Sequence, residues 1–293
     1  MKRGAEVPVC WGVYREREHS PGREADDAGV LEATGRLLER SGASVAFRRP
    51  PELQHAEPNL PVLAFAMCEG AASLERLDDW ERRGVCTVNR ASAVVNAQRE
   101  RAIPLFEARR IPMPESRLLD GDRPLPGSGE MERLFSACWI KPATGHKTRA
   151  DDVVFASGAA AVRDALDRLR SRGSRRAVVQ RHAEGDIVKF YGVASAAEPD
   201  AAPAAWFRWF HPKEHPVAGH AVDAEALTRI ALRAARALGL EVWGGDAVVT
   251  PSGEILVIDV NAWPSFALFR DEAAGHIAAH LSAYLRRIAS VAV

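Results

Sequence analysis

Between residues 242 and 264 the chain carries two apolar, β-branched runs joined by a tight turn. Gly244-Gly245-Asp246-Ala247-Val248-Val249 leads into Pro251-Ser252-Gly253, and Ile255-Leu256-Val257-Ile258-Asp259-Val260-Asn261-Ala262-Trp263-Pro264 returns. That pattern predicts an antiparallel hairpin. Each run carries a carboxylate that a plain core strand would lack. Pairing of the runs places Asp246 beside Asp259, and Asn261, two residues from Asp259, projects from the same face. Two carboxylates and an amide oxygen are hard ligands of the kind magnesium takes, with positions left for water and phosphate. The alternative is that both aspartates are solvated strand-end residues.

The rest of the chain reads as alternating short strands and helices. Residues 7–14 form an apolar strand, 26–41 carry Val30, Leu31, Leu37 and Leu38 at helical spacing, and 45–47, 62–65 and 85–88 are further strands with a helix over 71–83. This predicts a small parallel α/β domain over 1–90. A helix over 91–109 ends at Ile111-Pro112-Met113-Pro114, whose prolines force an extended chain, so a second region spans 91–182. It holds a strand at 137–141, a helix at 158–172 and a strand at 177–180. The third region, 183–293, holds strands near 187–194 and 204–211, a helix over 223–238, the hairpin, and a final helix over 271–288 with Ile277, Leu281, Tyr284, Leu285 and Ile288 on one face. The fold class is α/β: a parallel domain followed by two α+β lobes.

Composition narrows the partners. Lys plus Arg and Asp plus Glu number 39 each, so there is no global field to attract nucleic acid or an anionic membrane, and any anion site is local. No segment approaches the roughly 20 apolar residues needed to span a bilayer, and no signal sequence follows Met1; a cytoplasmic location is expected. Cys10, Cys68, Cys86 and Cys138 are scattered and indicate neither a disulfide framework nor a zinc knuckle. His211, His215 and His220 are interrupted by Pro212 and Pro216 and match no familiar zinc spacing, so they read as a polar loop.

Four motifs, in order, resemble the ATP-grasp enzymes over about residues 85–270. Val88-Asn89, then Arg99 or Arg101, then Ile111-Pro112-Met113-Pro114 is similar to the first helix of that superfamily, whose basic residue touches ATP phosphates. Trp139-Ile140-Lys141-Pro142 followed by Gly145 resembles the strand whose lysine holds the α- and β-phosphates beneath a flexible loop. Val178-Val179-Gln180-Arg181-His182, then Gly185-Asp186 and Val188-Lys189-Phe190-Tyr191, resembles the linker framing adenine and its return strand. The hairpin with Asp259-Val260-Asn261 resembles the magnesium-binding strand.

The resemblance implies ATP held between the two lobes, with two magnesium ions, manganese being an alternative metal. It implies Arg99, Lys141 and Lys189 on phosphates, His146 supplying charge from the loop, Gln180, Arg181 and His182 around the hinge, and Glu184 or Asp186 near the ribose. Asp246, Asp259 and Asn261 are the implied metal ligands. Arg208 lies where ligases of the superfamily place an arginine that stabilises an acyl-phosphate or tetrahedral intermediate; stacking on its aromatic neighbours is the alternative. The residue types agree with phosphoryl transfer, which needs cations, a divalent metal and its carboxylates.

Two features depart from the commoner pattern. The loop after Lys141 has one glycine, and the metal strand carries Asp259 where the ligases mostly carry glutamate. Asp259, with Lys189-Phe190-Tyr191, is closer to the inositol phosphate kinases. The expected activity is therefore ATP-dependent joining of a carboxylate to an amine, as in the ribosomal-protein glutamate ligases. The alternatives are a kinase of an inositol phosphate or polyol, and a non-catalytic nucleotide-binding module. The expected acceptor is a small molecule or a peptide, and a homodimer is compatible with an exposed helix face.

Overall fold

A computed structural model describes residues 7–55, 59–120, 123, 129–144, 152–197 and 202–291. Twelve strands among them form three four-stranded sheets. The first sheet contains β1 (Val9–Val13), β2 (Ser44–Arg48), β3 (Leu63–Ala66) and β4 (Cys86–Val88), all parallel in the order β2-β1-β3-β4. The inner strands β1 and β3 are apolar almost throughout because helices cover both faces. On one side Trp11, Ala64 and Ala66 meet Leu74, Leu77 and Trp80 of α2 (Ala71–Arg82). On the other, Cys10, Leu63 and Phe65 meet Val30, Leu31 and Leu38 of α1 (Glu24–Arg40).

The structure breaks the predicted 91–109 helix into α3 (Ala91–Asn96) and α4 (Arg99–Ala108). Gln98 is extended, with φ −64° and ψ 135°. Val94, Val95 and Asn96 are weak helix formers, and tertiary bonds take over there: Asn96 Nδ2 donates to Leu238 O at 3.3 Å and Glu100 N donates to Ala143 O at 3.0 Å. The break makes Arg99 the first residue of α4, at the wall of a cleft.

The second sheet is antiparallel, in the order β5 (Ser116–Asp120), β8 (Arg176–Arg181), β6 (Cys138–Pro142), β7 (Val154–Ala156). One face packs under α5 (Gly129–Phe135) and α6 (Ala159–Ser171), whose Val162, Ala165, Leu166 and Leu169 meet Cys138, Ile140, Ala177 and Val179. Strand alternation then turns Trp139, Lys141, Val178 and Gln180 to the opposite face.

The third sheet is antiparallel too, in the order β10 (Trp206–Phe210), β9 (Asp186–Val193), β11 (Val242–Val249), β12 (Ile255–Ala262). Helix α7 (Ala224–Leu238) buries Leu227, Ala231, Ala234, Ala235 and Leu238 beneath it. That helix starts at Asp223, whose side chain accepts from Ala226 N at 2.9 Å, and stops at Gly239 with φ +79°, a left-handed turn glycine takes without cost. The final helix α8 (Arg270–Val291) carries Ala273, Ala274, Ile277, Ala278 and Leu281 into the same core as Val30, Leu31 and Leu38 of α1. The chain thus returns to its first sheet. No helix among the described residues is long and apolar enough to cross a membrane.

Candidate functional site

The hairpin register places Asp246 opposite Asp259 and Gly244 opposite Asn261, with Lys189 of β9 opposite Asp246. All lie on the sheet face away from α7, because their neighbours Val188, Phe190, Ala247, Val257 and Val260 fill the core under that helix. A bulge after Asp246 leaves Ile258 without a partner, since Ala247 pairs with Val257. Such a bulge re-aims the strand where pairing would otherwise run straight on.

Among the described residues, two ion pairs cross this face. Lys189 Nζ lies 2.8 Å from Asp246 Oδ1, and Arg99 Nη2 lies 2.7 Å from Asp259 Oδ2. Arg99 Nη1 also donates to Pro142 O at 3.3 Å, tying α4 to the end of β6. From the second sheet comes Lys141, buried at 6% exposure, whose Nζ donates to Gln180 Oε1 at 2.7 Å. Gln180 Nε2 donates in turn to Ser116 Oγ at 3.2 Å, and Ser116 Oγ to Pro114 O at 2.8 Å. Burial lowers the Lys141 pKa to about 8; Asp259 and Asp246 pull it up and Arg99 pushes it down, so these four side chains form one electrostatic cluster.

Arg99 and Asp259 separate two clefts. One, about 320 Å³ and open to solvent, is walled by Ala102, Ile103, Phe106, Met113, Val178, Val257 and Ile258 and carries Lys141 and Gln180. The other, about 450 Å³ and also open, lies between His19 and Glu69 of the first domain and Val94, Ala97, Gln98, Asn261 and Ala262.

No protein-family model and no curated protein matches the sequence. Solved structures do match in three dimensions. A D-alanine–D-alanine ligase from Bacillus anthracis superposes with a TM-score of 0.70 at 12% identity, covering 98% of this chain and 100% of that one. A RimK-domain ATP-grasp protein from Sphaerobacter thermophilus gives 0.64 at 19% identity, over 92% of this chain and 98% of that one. The ATP-grasp ligase PsnB, in complex with a minimal precursor, Mg and ADP, gives 0.62 at 16% identity, over 92% and 97%. The chain has the ATP-grasp fold.

Within this fold the other predicted residues lie beside the cluster or apart from it. Asn261 lines the second cleft beside Asp259. Arg101 is exposed, whereas Arg99 faces the cluster. His182 accepts from Trp139 Nε1 at 3.1 Å and packs edge-on against half-exposed Phe155, making an aromatic corner at the end of β8; Arg181 is exposed and projects from the other strand face. His146 lies outside the described residues.

Asp186 and Arg208 stand away from the cluster. Asp186 is buried, and its two oxygens accept the amides of Ala218, Gly219 and His220. Those bonds outweigh burial and lower its pKa, so its carboxylate is spent on holding the 218–220 loop. Arg208 shares a register row with Tyr191, Gly244 and Asn261, but its guanidinium bonds Glu272 of α8 and lies 5.8 Å from the Trp206 ring centroid. Tyr191 and Pro264 fill the space over Gly244 on that row: a Cβ at 244 would stand 2.8 Å from Tyr191 and 2.7 Å from Pro264.

The sequence reading assigned no role to His19 and Glu69, the groups that the first domain brings to the second cleft. The Arg15 side chain, 8% exposed, lies between Glu69, at 2.8 Å, and Asp27, at 3.3 Å, and donates to Trp263 O. Glu16 accepts from Glu69 N, Gly70 N and Ser73 Oγ, and lies 3.4 Å from His19 Nδ1. Burial pushes the Glu16 carboxyl up, but these contacts outweigh it and hold the pKa at about 2; the Glu16 carboxylate raises that of His19. The signal was Arg15-Glu16 at the end of the first strand, a charged pair following an apolar run.

Among the described residues no three His, Cys, Asp or Glu side chains cluster as a metal cage. Two adjacent carboxylates and one amide suit magnesium, which retains waters and takes substrate phosphate oxygens in place of a full protein shell. The donor set fits that ion.

Proposed function

We propose that the protein is an ATP- and magnesium-dependent ligase that activates a carboxylate as an acyl-phosphate for attack by an amine. The observation that carries this reading is buried Lys141, on one sheet, coupled to Asp259 and Asp246 on another, with Arg99 and Lys189 beside them. That is the charge set phosphoryl transfer requires, distributed over both walls of a cleft. The similarity to structures of ligases supports ligation as the reaction.

In this reading Lys141, Arg99 and Lys189 bind polyphosphate oxygens, and the apolar walls Ile103, Phe106, Met113 and Ile258 receive the base. Asp246, Asp259 and Asn261 would hold magnesium, which neutralises charge on the transferring phosphate when bound. An oxygen of the substrate carboxylate, held in the cleft between Asn261 and His19, attacks the γ-phosphorus and ADP departs. The amine nitrogen then attacks the acyl carbon, phosphate leaves, and the nitrogen loses a proton. Gln180 fixes the Lys141 ammonium, and Arg99, on the wall between the clefts, keeps the two substrates in register.

One observation favours kinase chemistry as a second reading: Arg208, expected at a ligase intermediate, is engaged by Glu272. Hydroxylamine separates the two. With Mg·ATP and a panel of amino acids and dicarboxylates, a ligase gives a hydroxamate and stoichiometric ADP. Phosphate transferred to a polyol with no hydroxamate from any carboxylate would overturn the ligase reading.

A further inference from the structure

The carboxylates assigned to the metal are not bare. Asp259 is held by Arg99 at 2.7 Å and Asp246 by Lys189 at 2.8 Å, and the first pair is the more enclosed, with side chains 14% and 15% exposed. Lys141 adds a third cation within the same cluster. Among the described residues, three cations face two carboxylates.

Resting on the ligase reading, we propose that Arg99 and Lys189 are exchange partners: they occupy the metal carboxylates until a nucleotide polyphosphate draws them off, so the site admits the metal with the nucleotide and resists it alone. A dication entering alone must displace both cations from their carboxylates and adds two positive charges beside them. A polyphosphate supplies the missing anions. Its oxygens take Arg99, Lys141 and Lys189 as charge-assisted partners, and Asp246 and Asp259 are released toward the metal. The backbone need not move, because Lys189 and Asp246 already face one another across β9 and β11, and Arg99 turns about its own side chain at the start of α4. Linkage makes the effect reciprocal, typically 5- to 150-fold in affinity for couplings of this kind.

Calorimetric titration of Mn²⁺ and Mg²⁺ into the full chain, with and without saturating ADP, tests this when repeated on K189Q and R99Q. Tighter metal binding with ADP is expected of any phosphate-bridged ion, so the deciding quantity is metal affinity without nucleotide. Removing a competing cation should strengthen it, by about 5-fold or more in K189Q, while weakening ADP in the same variant. Opposite signs in one variant are the signature of exchange; a merely structural loss would weaken both. Lys189 is 35% exposed on a sheet face, so K189Q retains the fold if R99Q does not. Metal affinity unchanged or reduced in K189Q overturns the proposal and leaves the ligase reading standing. Failure of the wild-type chain to bind ADP under any metal condition overturns the ligase reading itself, and with it this inference.

Discussion

Replacing Lys141 by methionine should leave the ligand-free protein as stable as the wild type, or more so, while removing most of its nucleotide affinity. Burial lowers the Lys141 pKa from 10.5 to about 8, so keeping the ammonium charged at neutral pH costs about 3 kcal/mol. Methionine fills a similar volume without that cost. Against the gain, Gln180 Oε1 loses the donor it has at 2.7 Å, worth about 1–3 kcal/mol when a buried acceptor goes unpaired. The net expectation is roughly 0–2 kcal/mol of stabilisation. Loss of one charge-assisted phosphate contact should weaken ADP about 10- to 150-fold.

The sign of the pH dependence gives a second reading of the same variant. Between about pH 8 and 10.5 the unfolded chain retains a proton at Lys141 that the folded chain has released, so wild-type stability rises with pH across that window relative to K141M. Urea midpoints at pH 7, 8.5 and 10, with calorimetry for ADP, measure both quantities. Destabilisation of K141M by more than about 2 kcal/mol at pH 7, or a wild-type minus variant difference that stays flat with pH, would refute the claim that this lysine is held in the cleft at the expense of the fold.

Asp259→Ala should eliminate metal-dependent nucleotide turnover with a native circular dichroism spectrum, and turnover retained at wild-type rates would remove Asp259 from the metal set. Its stability cost should be about 1–3 kcal/mol, since Arg99 loses its carboxylate. Glu16→Gln should cost about 2 kcal/mol at pH 7. The wild-type Glu16 carboxyl, held at about 2, contributes stability that is present above its ordinary value of 4.5 and lost as pH falls toward 2. Denaturation midpoints at pH 3 and pH 7 should therefore converge for variant and wild type at the acid end, and a constant gap would contradict the assignment.

What the sequence yields about this site is what strand periodicity and turns can specify locally. The Asp246–Asp259 pairing follows from two apolar runs around Pro251-Ser252-Gly253, and the shared face of Lys141 and Trp139 follows from a period of two. Features set by distant contacts are not written that way. The interruption at Ala97–Gln98 is fixed by bonds to Leu238 and Ala143, and the weak helix formers Val94, Val95 and Asn96 permit a break without setting its position. Asp186 beside Gly185 reads like a ribose ligand until the 218–220 amides close on it, some thirty residues later in the chain. Arg208 is turned outward by Glu272, on a helix whose packing against α1 periodicity alone cannot assign. Glu69 and His19 reach the second cleft through the folding of the first sheet and gave no motif of their own.

The packing of α8 against α1 also governs the order in which this chain becomes a protein. A ribosome delivers α1 long before α8, and the residues that α8 adds to their shared core, Ile277 and Leu281 among them, are synthesised only after residues 41–269. The core that α1 shares with the parallel sheet is therefore incomplete through most of translation, a period when exposed apolar surface invites association with other chains. A stop codon placed before residue 270 would spare every side chain of the cation and carboxylate cluster and still deprive the first domain of its lid.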